Sequence, residues 1–299
     1  MMSQFDLVFD RLNDLLVRVE ALLPNQQDMT NFDAATAFRW RKQGHNGYLQ
    51  PVTHPHQIQL DALQGIDEQK QLIVQNTYQF VLGYPANNVL LTGARGTGKS
   101  SLVKALLHQY ADKGLRLIEV EKQDLIDLPD ITEQIYQRPE RFILYCDDLS
   151  FEMHEPGYKA LKAILDGSIA RASENILVYA TSNRRHLMPE SMKDNLDTRH
   201  IDGDIHPSES VEEKISLSER FGLWLSFYPF DQTQYLDIVR YWLAHYGIQH
   251  MNDAVRLEAL RWALARGGRS GRIAWQFARD WSGKRKLAQS LRRKTRQPS

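Results

Sequence analysis

Asn88-Val89-Leu90-Leu91-Thr92-Gly93-Ala94-Arg95-Gly96-Thr97-Gly98-Lys99-Ser100-Ser101 is the stretch on which the fold turns, and it leads into an amphipathic run ending near Tyr110. The segment from Gly93 to Ser100 fits G-x-x-x-x-G-K-[ST] at every fixed position, with an apolar strand before it and a helix after it. Gly93, Gly96 and Gly98 let the backbone take positive φ and come close to an anion with no Cβ in the way. The amides of Ala94, Arg95, Thr97 and the first helical turn through Ser101 then face that anion, aided by the positive end of the helix dipole. In this pattern Lys99 sets an ammonium on the β- and γ-phosphates, and the Ser100 hydroxyl faces a Mg²⁺ ion. The stretch is therefore expected to bind a nucleoside triphosphate.

Composition narrows the rest. The chain has 299 residues, with 37 Lys+Arg against 37 Asp+Glu. Such a length suggests about two domains. Zero formal charge argues against a surface coated for nucleic acid or anionic lipid, although a local patch can still act. The lone Cys146 has no disulfide partner within the chain, so a reducing cytoplasm is the expected compartment. No apolar run approaches the roughly 18 residues of a membrane span, and Asp6 and Asp10 stand where a signal peptide would carry bases.

Before the loop, Phe5, Val8, Phe9, Leu12, Leu16, Val19 and Leu23 recur at helical spacing until Pro24. Residues 25–63 read as an irregular linker, with Phe38-Arg39-Trp40-Arg41 as a partly buried anchor and histidines 45, 54 and 56 lacking metal-ligand spacing. We place an N-terminal helix and linker at 1–62 and an α/β core at 63–229. After the loop, short apolar strands near 115–120, 142–146, 176–180 and 221–227 alternate with helices near 131–137 and 158–171. That is the pattern of a parallel sheet covered on both faces. After Pro229 only helical periodicity remains, which indicates a small helical domain at 230–283 and a basic tail at 284–299. The stretch from Met188 to Lys214, polar and acidic, interrupts the core as a long insert.

A triphosphatase needs one acid for its metal and another for its water. Asp147 and Asp148 supply both at the C-terminal end of an apolar strand, where open α/β sheets place their ligands. Thr181-Ser182-Asn183 ends the next strand, within reach of a terminal phosphate. Arg220, just before the last strand, could protrude into a neighbouring subunit's site. Arg269 and Arg272 flank the start of the last helix, from which they could close onto phosphates.

The order of phosphate loop, Asp-Asp strand end, Thr-Ser-Asn, Arg-Phe, helical lid and Gly-Arg resembles the AAA+ ATPase superfamily. More narrowly, the strings Cys146-Asp-Asp-Leu-Ser-Phe-Glu152, Ala180-Thr-Ser-Asn-Arg-Arg-His-Leu187 and Glu213-Lys-Ile-Ser-Leu-Ser-Glu-Arg-Phe-Gly-Leu223 resemble a bacterial AAA+ family catalogued only as a domain of unknown function. The resemblance implies a P-loop NTPase fold with a five-stranded parallel sheet of order 5-1-4-3-2, a helical lid, and ATP sites shared between subunits of a homo-oligomer. It makes Lys99 and Ser100 Walker A, Asp147 and Asp148 Walker B, Asn183 sensor 1, Arg220 the arginine finger and Arg272 sensor 2. Ile66, within Gly65-Ile66-Asp67, then lines the adenine pocket. One departure stands out: the family's usual catalytic glutamate is Asp148, shorter by a methylene, with Glu152 as the alternative base.

The resulting expectation is a Mg²⁺-dependent ATPase acting on a macromolecular client, or an ATP-gated assembly module with slow turnover. A DNA-associated role would rest on Lys284, Arg285, Lys286, Arg292, Arg293, Lys294 and Arg296. Glu121-Lys122-Gln123-Asp124 stands where threading members of the superfamily carry an aromatic-glycine loop, so peptide threading is not expected.

Overall fold

A computed structural model describes residues 31–44, 46–151, 155–166, 174–184, 187, 199–201, 204–206 and 217–295. The amphipathic segment from Phe5 to Leu23, Glu152 and most of the 188–214 insert lie outside the described residues. Within that insert a small antiparallel pair is described, β7 (Arg199–Ile201) with β8 (Asp204–His206).

The strands are β1 (Ala37–Gln43), β2 (Asn46–Pro51), β3 (Val89–Gly93), β4 (Leu115–Glu119), β5 (Arg141–Cys146), β6 (Ile176–Ser182) and β9 (Leu223–Phe227). They form one sheet of order β2-β1-β4-β5-β6-β3-β9. Read from the far end, β9-β3-β6-β5-β4 is the expected 5-1-4-3-2 arrangement, all in parallel. The sheet has seven strands rather than five because β1 adds in parallel to β4, and β2 folds back on β1.

The added strands correct the reading of residues 25–63 as an irregular linker. Phe38 and Trp40 are each 1% exposed, while Arg39 and Arg41 form ion pairs with Glu119 and Glu121 at 2.7 and 2.6 Å. This is the period-2 alternation of a half-buried strand. Lys42 and the Trp40 indole both reach Asp127, at 2.7 and 2.9 Å. Together with the Lys122–Glu155 pair at 2.8 Å, they fasten the turn after β4.

Two hydrophobic layers cover the sheet, and each strand divides its residues between them. Val89, Leu91, Ile143 and Tyr145 face one side with α1 (Asp67–Val81) and α2 (Lys99–Tyr110). Leu90, Phe142, Leu144 and Cys146 face the other, with α3 (Leu128–Ile135) and α4 (Pro156–Leu165). Burial pushes the Cys146 thiol up to about 12, which leaves it an inert core group. The Tyr179 hydroxyl is tied to α1 by Thr77 at 2.8 Å and Asn76 at 3.1 Å.

The lid comprises α5 (Gln232–His245), α6 (Asp253–Ala265) and α7 (Gly271–Thr295). Asp231 opens α5 with a capping box to Gln234, and Asn252 caps α6 through the Val255 amide at 3.0 Å. Phe230, Tyr235, Ala259 and Phe277 join the lid to the first layer. The lid's last helix does not stop near 283: it runs on to Thr295 with residues 283–292 exposed, so the start of the basic tail is helical. Among the described residues, no helix is long and apolar enough to cross a membrane.

Candidate functional site

The site forms where β3, β5 and β6 end beneath the start of α7. Gly93 has φ 123° and lies so close to β9 that a Cβ would meet the Phe227 carbonyl oxygen at 1.9 Å, so only glycine fits. Gly96 has φ 75°, and a Cβ there would fall 2.8 Å from Ser270 Oγ. The loop holds its own shape through Thr97 Oγ1, which donates to the Ala94 carbonyl at 2.8 Å. Gly98 opens α2 in the left-handed conformation, which turns the following amides toward the loop's interior. Ile66 lies beside it, its Cδ1 at 3.5 Å from where a Gly98 Cβ would sit, with Leu63 at 3.8 Å.

Lys99 is only 6% exposed. Its Nζ donates to the Gly93 and Ala94 carbonyls, each at 2.8 Å, and to Asn183 Oδ1 at 3.1 Å. Burial pulls this ammonium below its usual range and Arg95 adds to the effect, while Asp148 and Asp147 oppose it. A buried cation bonded only to neutral oxygens is short of negative charge, and an anion in the loop would supply it.

Asp147 joins the phosphate loop to the neighbouring strand. Its Oδ1 accepts from Ser100 Oγ at 2.7 Å and from Thr181 Oγ1 at 2.6 Å. Burial alone would push this carboxyl up, but the Thr181 and Ser100 hydroxyls outweigh it and hold the group below the usual carboxylate range. The Ser100 hydroxyl and Asp147 carboxylate are hard oxygen donors side by side. That set suits Mg²⁺, which keeps waters and takes phosphate oxygens instead of an all-protein cage. Among the described residues, no cluster of three His, Cys, Asp or Glu residues is found.

Asp148 follows in the left-handed region at φ 52°, its amide donating to Thr181 Oγ1 at 2.9 Å and its carboxylate accepting from Asn183 Nδ2. Asn183 therefore bridges Asp148 and Lys99. A left-handed position is tolerated far better by aspartate than by most side chains, which gives a backbone reason for Asp148 in place of glutamate.

Lys99, Ser100, Asp147, Asp148 and Asn183 thus converge, with Ser101 in the same first turn of α2. Arg272 also stands at the loop, its Cβ 3.6 Å from the position of a Gly96 Cβ, and the Gly271 amide donates to the Gly96 carbonyl at 2.9 Å. Arg220 instead forms an ion pair with Asp166 at the end of α4. Sequence reasoning missed two groups. Ser270 and Gly271 bring the lid onto the loop; the sequence points to Arg269 and Arg272 closing from this segment, but not to the two residues between them that make the contact. Tyr145 places a buried hydroxyl against Ser100, Asp147 and Thr181, with burial and Asp147 raising its pKa. Its signal was available: it lies two residues before Asp147, on the same face of β5.

Strand order, phosphate loop and helical lid define a P-loop NTPase of the AAA+ class. The chain belongs to the family described as "Protein of unknown function (DUF815)", whose model matches residues 33–285. No curated protein matches the sequence. Among solved structures, the chain is similar to the Thermotoga maritima RuvB Holliday junction branch migration motor, with 18% identity and a TM-score of 0.47. That match covers 74% of this chain and 63% of RuvB, so the chain spans less than two thirds of that protein's length. The FIGL-1 AAA domain in complex with ADP is similar at 17% identity and a TM-score of 0.49, covering 76% and 73%. AMPPCP-bound DnaA from Aquifex aeolicus is similar at 16% identity and 0.46, covering 70% and 59%.

Proposed function

We propose that the chain is a Mg²⁺-dependent ATPase that works as a homo-oligomer to remodel or load a macromolecular partner. The observation that carries this reading is the Ser100–Asp147 bond at 2.7 Å, next to a buried, anion-deficient Lys99. In the loaded site Lys99 takes the β- and γ-phosphates, the loop amides hold the remaining phosphate oxygens, and Ser100 and Asp147 hold the cation. Bound Mg²⁺ supplies neutralisation of charge developing on the transferred phosphoryl group. Asp148 orients or deprotonates water, and Asn183 keeps that carboxylate in place. Arg272 adds positive charge from the lid, Ile66 packs against adenine, and Arg220 serves the site of a neighbouring subunit after leaving Asp166. Purified protein with ATP and Mg²⁺ should release phosphate, and Lys99→Ala should abolish the release. Equal release by both proteins would overturn the proposal.

A second reading, an ATP-gated assembly module with slow turnover, is favoured by one observation: the Asp148 carboxylate is short and already engaged by Asn183. Sedimentation with a non-hydrolysable ATP analogue decides between them, since an unchanged size and unchanged client retention remove this second reading. For the client we favour a protein in the cytoplasm. Nucleic acid binding through the basic end of α7 would weaken steeply as salt rises.

A further inference from the structure

Tyr145 is fully buried, and its hydroxyl meets no partner at full hydrogen-bond geometry among the described residues. Such a group is uncommon in a native core, because an unmet buried hydroxyl forfeits the hydrogen bonds it made to water in the unfolded chain. It could be replaced by phenylalanine with no loss of packing. Its surroundings are not apolar, however: the side chains of Ser100, Asp147 and Thr181 stand close enough to act on it. The Ser100 and Thr181 hydroxyls already donate to the same atom, Asp147 Oδ1. Their protons are committed, and the phenol is left over at the edge of the pair that would hold a cation.

We infer that Tyr145 is a positioning residue for the metal, its hydroxyl donating into the oxygen shell of a divalent cation held at Ser100 and Asp147. The inference rests on the nucleotide site proposed above and extends it to a residue outside the usual motif. Carried on the strand that ends just before Asp147, the hydroxyl would fix where the metal shell lies. Removing it should weaken metal capture while leaving metal-free nucleotide binding alone.

The test uses the full chain and Tyr145→Phe, read by binding of a fluorescent ATP analogue across a Mg²⁺ titration and by thermal unfolding without ligand. Wild type should gain affinity as Mg²⁺ rises. In the variant the Mg²⁺ midpoint should move up roughly tenfold, the size expected for one hydrogen bond to a charged centre, with affinity in EDTA unchanged. The ligand-free variant should melt no lower than wild type, because an unmet hydroxyl has been removed. An unchanged Mg²⁺ midpoint overturns the inference, and so does a lower ligand-free melting temperature, which would show the hydroxyl already bonded. Wild-type binding that ignores Mg²⁺ overturns the site reading itself, and the role of Tyr145 with it.

Discussion

The two ends of the central sheet use the same residue types in opposite ways. Where β3, β5 and β6 end, Lys99, Asp147 and Asn183 are drawn into a cleft and share one network with Ser100 and Thr181. Where β1 pairs with β4, one strand in from the β2 edge, Arg39 and Glu119 meet at 2.7 Å with side chains 48% and 29% exposed, and Arg41 and Glu121 are similarly open. Water screens the edge pairs, which contribute about 0–1 kcal/mol each. Water is largely kept from Lys99, so its charge remains available to a ligand. Location, more than residue type, separates a charge poised for a ligand from one that only decorates.

The strongest way to break this comparison is Lys99→Ala. Triphosphate affinity should fall by more than about 100-fold, measured by calorimetry, while the melting temperature without ligand stays level or rises. Next comes Trp40→Ala at the other end, which should cost about 3–5 kcal/mol in chemical denaturation with a smaller effect on binding. If Trp40→Ala abolished binding at full stability, the edge would be part of the site.

Asp148→Glu sharpens the picture. It restores the usual length of side chain at a position with φ 52°, and should cost about 1 kcal/mol of stability, whereas Asp148→Asn should keep the fold and lose turnover. The acid limb of stability offers a further check. The Asp147 pKa is lowered in the folded state, so its contribution is full above the ordinary carboxylate value and disappears as pH falls through the folded one. Asp147→Asn should flatten that part of the acid profile. Smallest of all, Arg39→Ala should change stability by under about 1 kcal/mol, and less in high salt.

The site was legible because its parts are local. A phosphate loop is one contiguous string, and Asp147 and Asn183 each end an apolar strand that announces itself. Strand order followed from the resemblance those strings carry. The β1–β2 hairpin was hidden because Arg39 and Arg41 interrupt the apolar run, and their partners Glu119 and Glu121 come from a distant part of the chain. The Gly96–Gly271 contact was illegible for the same reason. The fate of Arg220, paired with Asp166, depends on a tertiary approach of two segments far apart in sequence.

The helix Gly271–Thr295 is rooted at the phosphate loop through the Gly96 carbonyl and spans 25 residues. At 1.5 Å per residue it is a rod of about 37 Å, so a tilt of about 10° at its base sweeps its far tip through about 6 Å. Its exposed, basic end would thus amplify any small rearrangement at the loop glycines and carry it to a surface remote from them.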